Sequence, residues 1–133
     1  MTTRLIIVRH GNNFTKEQTP LRVGARTDLP LVETERGTNV GKYLKMRTMI
    51  PDVVISAPLK RTMETARLAI AALDRDIDLI VDERFREIDY GPDEGKPETE
   101  VVARIGQKAL DEWERAAIVP DGWLVCVDDI ISS

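Results

Sequence analysis

The sequence predicts an α/β domain in which helices flank a mostly parallel sheet, and two observations support that class. Short apolar runs typical of buried strands alternate along the chain with longer segments whose apolar residues recur at helical spacing. Strands that alternate with helices usually pair in parallel, because each helix carries the chain back to the start of the next strand. With 133 residues and no repeats or linkers, the chain is expected to fold as one domain over residues 1–133.

The first strand is predicted at residues 5–8, a continuous aliphatic run, Leu-Ile-Ile-Val, of the kind found in strands covered on both faces. The polar segment 12–33 that follows is interrupted by Pro20, Gly24 and Pro30, so it is predicted to be a loop. Loops of that length in compact domains commonly serve a function.

A first helix is predicted from residue 34 to about residue 49, where apolar residues recur at helical spacing. Gly37 and Gly41 stand about one turn apart, and we expect them to let this helix pack closely against the sheet. Its predicted apolar face comprises Val40, Tyr43 and Leu44.

A second strand is predicted at residues 52–56, and after a turn at Pro58 the clearest helix of the sequence spans residues 59–73. Its apolar stripe leaves Arg61 and Thr65 together on another face. That stripe consists of Leu59, Met63, Ala66, Ile70 and Leu73.

A third strand at residues 77–81 leads into a polar loop at 84–95, which is expected to lie beside a functional site. A last helix is predicted over residues 98–117, ended by the Pro-Asp-Gly sequence at 120–122, and a last strand at 123–127. Both tryptophans are interpreted as core residues. The apolar residues at helical spacing that predict the helix over residues 98–117 are Val102, Ile105, Ala109, Trp113 and Ala116.

The composition, with 42% hydrophobic and 32% charged residues, is that of an ordinary water-soluble protein. No apolar run approaches the roughly 18 residues that a membrane helix requires, and the N-terminus lacks the features of a signal peptide, so a cytoplasmic location is predicted. With 19 basic and 23 acidic side chains, the net charge of −4 offers no general attraction for nucleic acid. The single cysteine and single histidine exclude an internal disulfide and the usual zinc frameworks, so no metal is expected.

The tripeptide Arg9-His10-Gly11 directly follows the first predicted strand, at the carboxyl end where open α/β sheets bind ligands. The glycine lets the backbone approach a bound anion. Positive charge beside the imidazole opposes its protonation and favours the neutral, nucleophilic form near neutral pH. The tripeptide is therefore predicted to place a nucleophile against an anion such as phosphate.

Four motifs occur in the order in which a known family has them. They are LIIVRHG at residues 5–11, GARTDLPL at 24–31, SAPLKRTMETA at 56–66 and EIDYG at 87–91. Together they resemble the histidine phosphatase superfamily, of the phosphoglycerate mutase-like type, over residues 5 to 95. The resemblance implies a phosphoglycerate mutase-like fold and a phosphatase that forms a transient phosphohistidine.

The resemblance assigns catalytic roles to His10, Arg9, Arg61 and Glu87. His10 would attack the phosphorus atom, while the guanidinium groups of Arg9 and Arg61 grip the phosphate oxygens and stabilise the charge in transfer. Glu87, if it is partly buried, would protonate the leaving oxygen and then activate water. No metal or cofactor is implied, because the arginines supply the positive charge.

Further contacts to a small phosphorylated substrate, or to inorganic phosphate, are expected from the loop after His10 and from the second motif. Where the family usually has a hydroxyl residue and then an asparagine, this sequence has Asn13 and Lys16. The residues assigned to phosphate or substrate binding are Gly11, Asn13, Lys16, Gly24 and Arg26.

The family pattern ends with a second catalytic histidine after a late buried strand, and this sequence contains no second histidine. Either Val127 or Asp128 stands in its place or, as we prefer, the 133 residues stop before that motif and the domain is incomplete at its C-terminus. A missing strand would leave an apolar sheet edge unpaired. Such an edge favours pairing with another chain, so a homodimer is an open alternative.

The preferred functional hypothesis is a phosphatase that acts on a small phosphate monoester. A mutase must return the phosphoryl group to its product and usually needs additional basic residues. One alternative is a catalytically impaired relative that binds a phosphorylated ligand or a protein partner, and another is an unrelated α/β binding domain with an accidental Arg-His-Gly sequence. The basic residues available to a mutase are Arg22, Arg26, Arg84 and Arg86.

Overall fold

The computed structural model describes residues 2–125 and confirms the predicted α/β class. Over that range, four helices and a parallel pair of strands follow one another in the order α1, β1, α2, β2, α3, α4. The chain divides into two compact units. Unit 1 comprises Met1–Thr15 and Leu29–Glu83, and unit 2 comprises Lys16–Asp28 and Arg84–Ser133.

Each unit has its own pair of helices. In unit 1, α1 and α2 span Glu35–Met46 and Lys60–Leu73, and β1 and β2 span Val54–Ser56 and Leu79–Val81. In unit 2, α3 and α4 span Glu98–Ile105 and Gln107–Ala116. Two single turns of 3-10 helix lie at Glu83–Phe85 and Gly91–Asp93.

The sheet of unit 1 is parallel, with Ile55 of β1 opposite Ile80 of β2. The N–H of Asp82 donates to the carbonyl of Ser56 at 2.9 Å, which extends the pairing past the end of β2. Parallel strands need a crossover of a dozen or more residues, and α2 supplies it. The strands predicted at 52–56 and 77–81 are therefore confirmed in shorter form.

The strand predicted at residues 5–8 is wrong in this structure. The segment is not part of a hydrogen-bonded strand, and Leu5 and Ile7 are 80% and 86% exposed. An aliphatic run shows that a segment gains free energy from burial, whereas a strand also requires a neighbour with unpaired N–H and C=O groups. Within residues 2–125, β1 pairs with β2 and no strand pairs with residues 5–8.

Helix α1 confirms the helix predicted from residue 34, but it ends three residues early. The carboxylate of Glu33 accepts the N–H of Arg36 at 3.0 Å, which satisfies one of the first-turn donors that a helix leaves unpaired. Tyr43, predicted on the apolar face, is half exposed at 50%. The buried residues of α1 are Gly37, Gly41 and Leu44.

The two glycines of α1 pack against helix α2, and the prediction that they pack on the sheet is wrong. A Cβ atom at Gly37 would lie 2.7 Å from the carbonyl oxygen of Thr65, and one at Gly41 would lie 2.7 Å from the Cβ of Ala72. Because both distances are shorter than carbon atoms tolerate, only glycine permits this approach. The glycines bring the backbones of the two helices together.

Helix α2 confirms the helix predicted over residues 59–73, with Leu59 buried just before its first turn. The predicted inward face is only partly correct, because Met63, Ala66 and Ile70 are half buried. The contact with the glycines of α1 selects a face rotated by roughly 100° from the apolar stripe, the angle between successive helical residues. The fully buried residues of α2 are Arg61, Thr65, Ala69 and Leu73.

In unit 2 the single helix predicted over residues 98–117 is two helices, separated at Gly106. This glycine has φ +85° and ψ 152°, a conformation outside the helical region that glycine adopts readily. The break changes which residues face inward, so that Val101 and Leu110 are buried while Val102 and Ile105 pack around them.

Trp123 completes the core of unit 2. Its ring meets Tyr90 edge-on with centroids 4.7 Å apart and Trp113 with centroids 5.4 Å apart, an arrangement that aromatic pairs favour. The assignment of both tryptophans to the core is confirmed. Of the strand predicted at 123–127, Leu124 forms a single bridge to Asp89, and residues 126 and 127 lie outside the described range.

No helix in the range 2–125 has both the length and the apolar composition needed to cross a membrane.

Candidate functional site

The Arg-His-Gly segment is attached to the first turns of helix α2. The N–H of Gly11 donates to the hydroxyl oxygen of Thr65 at 3.0 Å, across 54 positions of sequence. The same hydroxyl donates to the carbonyl oxygen of Arg61 at 2.7 Å. Thr65 is 5% exposed, and its hydroxyl group forms hydrogen bonds to two backbone groups. This agrees with the prediction that Thr65 packs or caps.

Arg61 is buried on the second position of α2, with 1% of its surface exposed. The buried residues Ala57 and Leu59 precede it and fix the start of the helix. Unit 1 therefore brings the helical turn that carries Arg61 to the backbone beside His10. The side chain of Arg9 is exposed.

The imidazole of His10 is half buried, and its Nδ1 lies 2.6 Å from the carbonyl oxygen of Gly11. A carbonyl oxygen only accepts hydrogen bonds, so Nδ1 carries the proton in this contact. In the neutral ring the lone pair is then on Nε2. This tautomer is the one in which Nε2 is the nucleophilic nitrogen.

The backbone on either side of Gly11 is held by side chains from the start of α1. Arg36 Nη1 donates to the carbonyl oxygen of His10 at 2.8 Å, and the N–H of Asn12 donates to Glu33 Oε1 at 2.9 Å. The N–H groups of Arg36 and Asn12 hold the pKa of the Glu33 carboxyl below its ordinary value. Sequence reasoning missed both residues, because glutamate is not among the side chains that usually cap a helix N-terminus.

Asn13 and Lys16 differ in their surroundings. The amide group of Asn13 donates to the carbonyl oxygens of Leu29 and Pro30 at 3.2 and 2.9 Å, so it ties two parts of the loop in unit 1 together. Lys16 is exposed and belongs to unit 2. Contact of either residue with phosphate stays a prediction.

Gly24 lies in unit 2, enclosed by the segment around Tyr90. A Cβ atom at this position would come within 2.5 Å of the carbonyl oxygen of Ile88 and 2.6 Å of the Tyr90 ring, so a side chain has no room. Its N–H donates to Glu94 at 3.3 Å, and that carboxylate also accepts from the Thr27 hydroxyl and the Tyr90 N–H. Glu94 is a second organising residue that sequence reasoning missed.

Arg26 forms an ion pair with Asp89 within unit 2, Nε to Oδ2, at 2.9 Å and donates to the carbonyl oxygen of Gly91 at 2.7 Å. The hydrogen bond between them raises the pKa of Arg26 and lowers that of Asp89. Glu87 is exposed and accepts the N–H of Ile88 at 2.9 Å, so the partial burial assumed for its role is not found. Over residues 2–125, no three histidine, cysteine or carboxylate side chains are grouped to bind a metal.

Comparison with known proteins identifies relatives of the whole described region. The family model of the histidine phosphatase superfamily, branch 1, matches residues 5–129. The 2,3-bisphosphoglycerate-dependent phosphoglycerate mutase of Bifidobacterium longum is 33% identical over 124 residues, covering 90% of this chain and 49% of the relative. The corresponding enzyme of Arthrobacter sp. is 31% identical over 121 residues with the same coverage, 90% and 49%. The chain thus spans about half the length of these curated relatives.

Solved structures agree with the sequence matches. A mycobacterial glucosyl-3-phosphoglycerate phosphatase superposes with a TM-score of 0.69 and 25% identity, over 93% of this chain and 57% of its own. The Bacillus stearothermophilus protein YhfR superposes with a TM-score of 0.67 and 29% identity, over 86% and 55%. From the family model, the relatives and the fold together, this chain belongs to the histidine phosphatase superfamily, branch 1.

Proposed function

We propose that this chain is part of a phosphatase that hydrolyses a small phosphate monoester through a phosphohistidine at His10. One observation carries the proposal. The Gly11 N–H bonds to Thr65 one turn after the buried Arg61, so the backbone next to His10 contacts the helical turn that carries Arg61. Superfamily membership supports the same chemistry. We also propose that the protein acts in the cytoplasm.

The proposed reaction has two steps. Nε2 of His10 attacks phosphorus, the bond from phosphorus to the leaving oxygen breaks, and Glu87 donates a proton to that oxygen. Water then attacks the phosphohistidine, Glu87 takes its proton, and inorganic phosphate leaves with His10 restored. The guanidinium groups of Arg9 and Arg61 offset the negative charge of the phosphoryl oxygens in both steps.

Substrate contacts are proposed from Gly11, Asn13, Lys16, Gly24 and Arg26. The N–H groups of Gly11 and Gly24 already donate to Thr65 and Glu94, so these glycines would act by letting the backbone come close to the ligand. Asn13 would have to exchange one of its two amide hydrogen bonds for the ligand, whereas Arg26 would use guanidinium donors other than those bonded to Asp89 and Gly91. A mycobacterial glucosyl-3-phosphoglycerate phosphatase, similar to this chain at 25% identity, has been solved with inorganic phosphate, which supports phosphate as the first ligand to test.

Phosphatase activity is favoured over mutase activity because the extra basic residues of unit 2 are engaged. The guanidinium of Arg22 lies over the rings of Tyr90 and Trp123, 5.0 and 5.1 Å from their centroids, and pairs with Glu98. Arg26 pairs with Asp89, as described above. A mutase needs such groups to retain its product, and here they stabilise the unit. The mutase alternative rests on the names of the sequence relatives.

The test is turnover of p-nitrophenyl phosphate together with detection of acid-labile phosphate on the protein. The proposal expects labelling of the unmodified protein, and no labelling or turnover after His10→Ala. Arg67→Met, which removes an exposed arginine of α2, is the matched control and should retain both. Interconversion of 3- and 2-phosphoglycerate without release of phosphate would favour the mutase.

A second candidate is a catalytically impaired relative that binds a phosphorylated ligand or a protein partner. The observation in its favour is that Glu87 is exposed, without the partial burial that its proton-transfer role assumes. This candidate expects inorganic phosphate to bind, seen by calorimetry and weakened by His10→Ala, with neither labelling nor turnover of the phosphomonoester.

A further inference from the structure

The backbone around the proposed nucleophile is held in place by side chains. In a strand the N–H and C=O groups are held by a neighbouring strand, but residues 2–10 form no strand in this structure. Four hydrogen bonds hold residues 10–12 instead. They join His10 O to Arg36, Gly11 N to Thr65, Asn12 N to Glu33, and Asn12 O to the N–H of Val32.

Of these four bonds, the one from Arg36 is made to His10 itself. Arg36 is the second residue of α1, and its Nη1 lies 2.8 Å from the carbonyl oxygen of His10. Glu33 fixes the position of Arg36 itself, because its Oε2 accepts the Arg36 N–H while its Oε1 accepts the Asn12 N–H. A Cβ atom at Gly11 would lie 2.5 Å from Glu33 Oε1, so the carboxylate sits directly against the tripeptide.

We propose that Arg36 is a positioning residue, which fixes the backbone of His10 and thereby the direction of its imidazole. This inference rests on the proposed function for its effect on rate. Arg36 is the second residue of a 12-residue helix, so its backbone is held within α1 while its side chain reaches the segment that carries His10.

Positioning and substrate binding by Arg36 have different consequences. A group that grips the substrate equally before and during reaction changes KM, whereas a group that aligns the nucleophile changes kcat. Arg36 Nη1 is already bonded to a carbonyl oxygen, and Glu33 lies beside the same segment with negative charge. These contacts favour alignment over direct binding of an anion.

The first test uses the fact that His10 is the one histidine of the sequence. In protein labelled with 15N-histidine, the imidazole spectrum therefore reports this residue alone. Arg36→Met is expected to shift or broaden the Nδ1-protonated signature, and Arg36→Lys, which keeps a cationic donor, to restore part of it. Arg67→Met should leave it unchanged. An unaltered imidazole spectrum in Arg36→Met would overturn the inference.

The second test compares rate with affinity. With p-nitrophenyl phosphate, Arg36→Met should lower kcat and the rate of phosphohistidine formation by roughly 10- to 100-fold, while inhibition by inorganic phosphate changes less than about twofold. Weaker phosphate inhibition at unchanged kcat would make Arg36 a binding residue and contradict the inference.

Two further arms keep the inference testable. If Arg36→Met does not fold, Glu33→Gln is the second variant. It should shift the His10 signal in the same direction by a smaller amount, because glutamine keeps one oxygen that can accept one of the two backbone N–H groups bonded to Glu33. An unshifted His10 signal in Glu33→Gln would count against positioning. If the unmodified protein shows neither labelling nor turnover, the proposed phosphatase fails, and the imidazole spectra still decide whether Arg36 positions the ring.

Discussion

The two compact units hold their helices together by different means. In unit 1, α1 and α2 meet at Gly37 and Gly41, where the lack of a side chain lets the backbones of the two helices approach closely. In unit 2, the helices surround Trp123, whose indole N–H donates to the buried carboxylate of Asp93 at 2.7 Å. Arg104 donates to both oxygens of that carboxylate at 2.7 and 2.6 Å.

The difference shows that a buried charge has more than one use. Asp93 is 2% exposed, and its three partners on Arg104 and Trp123 all lie inside unit 2, so it is a structural group. Arg61 is equally buried, yet it belongs to the turn that bonds to the Arg-His-Gly segment. The two buried charges therefore differ in their neighbours, and a catalytic role for Arg61 stays a prediction.

The largest loss of stability is expected when the buried charge of unit 2 is removed. Asp93→Ala should lower the free energy of unfolding by about 3 kcal/mol, since it leaves a partly buried Arg104 and an indole N–H without their acceptor. Guanidinium denaturation followed by tryptophan fluorescence measures this. Glu98→Gln, which breaks an exposed ion pair with Arg22, is the control and should cost less than about 1 kcal/mol.

The Gly41→Ala variant tests the helix contact of unit 1. At an open helical position the change from glycine to alanine stabilises by roughly 0.5–1 kcal/mol, but here the new Cβ would overlap Ala72. We expect destabilisation of about 1–3 kcal/mol. The sign of the change in the free energy of unfolding therefore distinguishes a close helix contact from an open position. Asn39→Ala, at an exposed position of the same helix, should be neutral or slightly stabilising in the same thermal unfolding experiment.

Acid should weaken unit 2 through Asp93. The hydrogen bond from Arg104, and next that from Trp123, lower the pKa of this carboxyl in the folded state. Its stabilising contribution is therefore fully present above the pKa of an unfolded aspartate, about 4, and is lost as pH falls through the lowered folded pKa. Tryptophan fluorescence measured during acid titration should show a transition that Asp93→Asn makes shallower; an identical transition in the variant would refute the assignment.

The smallest effect is expected at the N-terminal aliphatic run. Ile7 is 86% exposed, so Ile7→Asn should change the free energy of unfolding by less than about 0.5 kcal/mol. Val101→Ala, at a position with no exposure, should cost about 2 kcal/mol. A loss above about 1 kcal/mol for Ile7→Asn would indicate that residues 5–8 are buried in the folded protein, as their sequence predicts.

Local patterns predicted the helices and the parallel strands well, and they failed where the outcome depends on a distant partner. The helix over residues 59–73 follows from a turn at Pro58 and regular apolar spacing, both of which are local signals. Its buried face does not follow from them, because contact with Gly37 and Gly41 selected Thr65 and Ala69 over more apolar residues. Gly106 was visible in the sequence, but a helix interior tolerates glycine, so the break could not be distinguished beforehand.

The candidate site shows the same division. The motifs singled out His10 and Arg61, and the hydrogen bond from Gly11 to Thr65 supports their proximity. Glu33 and Arg36 were missed, because a charged residue at a helix start is ordinarily solvated and its reach to another segment is invisible in the sequence. The predicted roles of His10, Arg61, Arg9, Glu87 and the substrate-binding residues stay predictions.

The sequence by itself determined the α/β class, the family and the residues whose side chains are capable of the proposed chemistry, because these depend on residue type and spacing along the chain. The tertiary structure alone decided which faces are buried, and which side chains hold residues 10–12. Packing and hydrogen bonding are set by groups far apart in sequence. A sequence pattern indicates that a side chain is to be buried or hydrogen-bonded, but the residue it contacts depends on the tertiary structure.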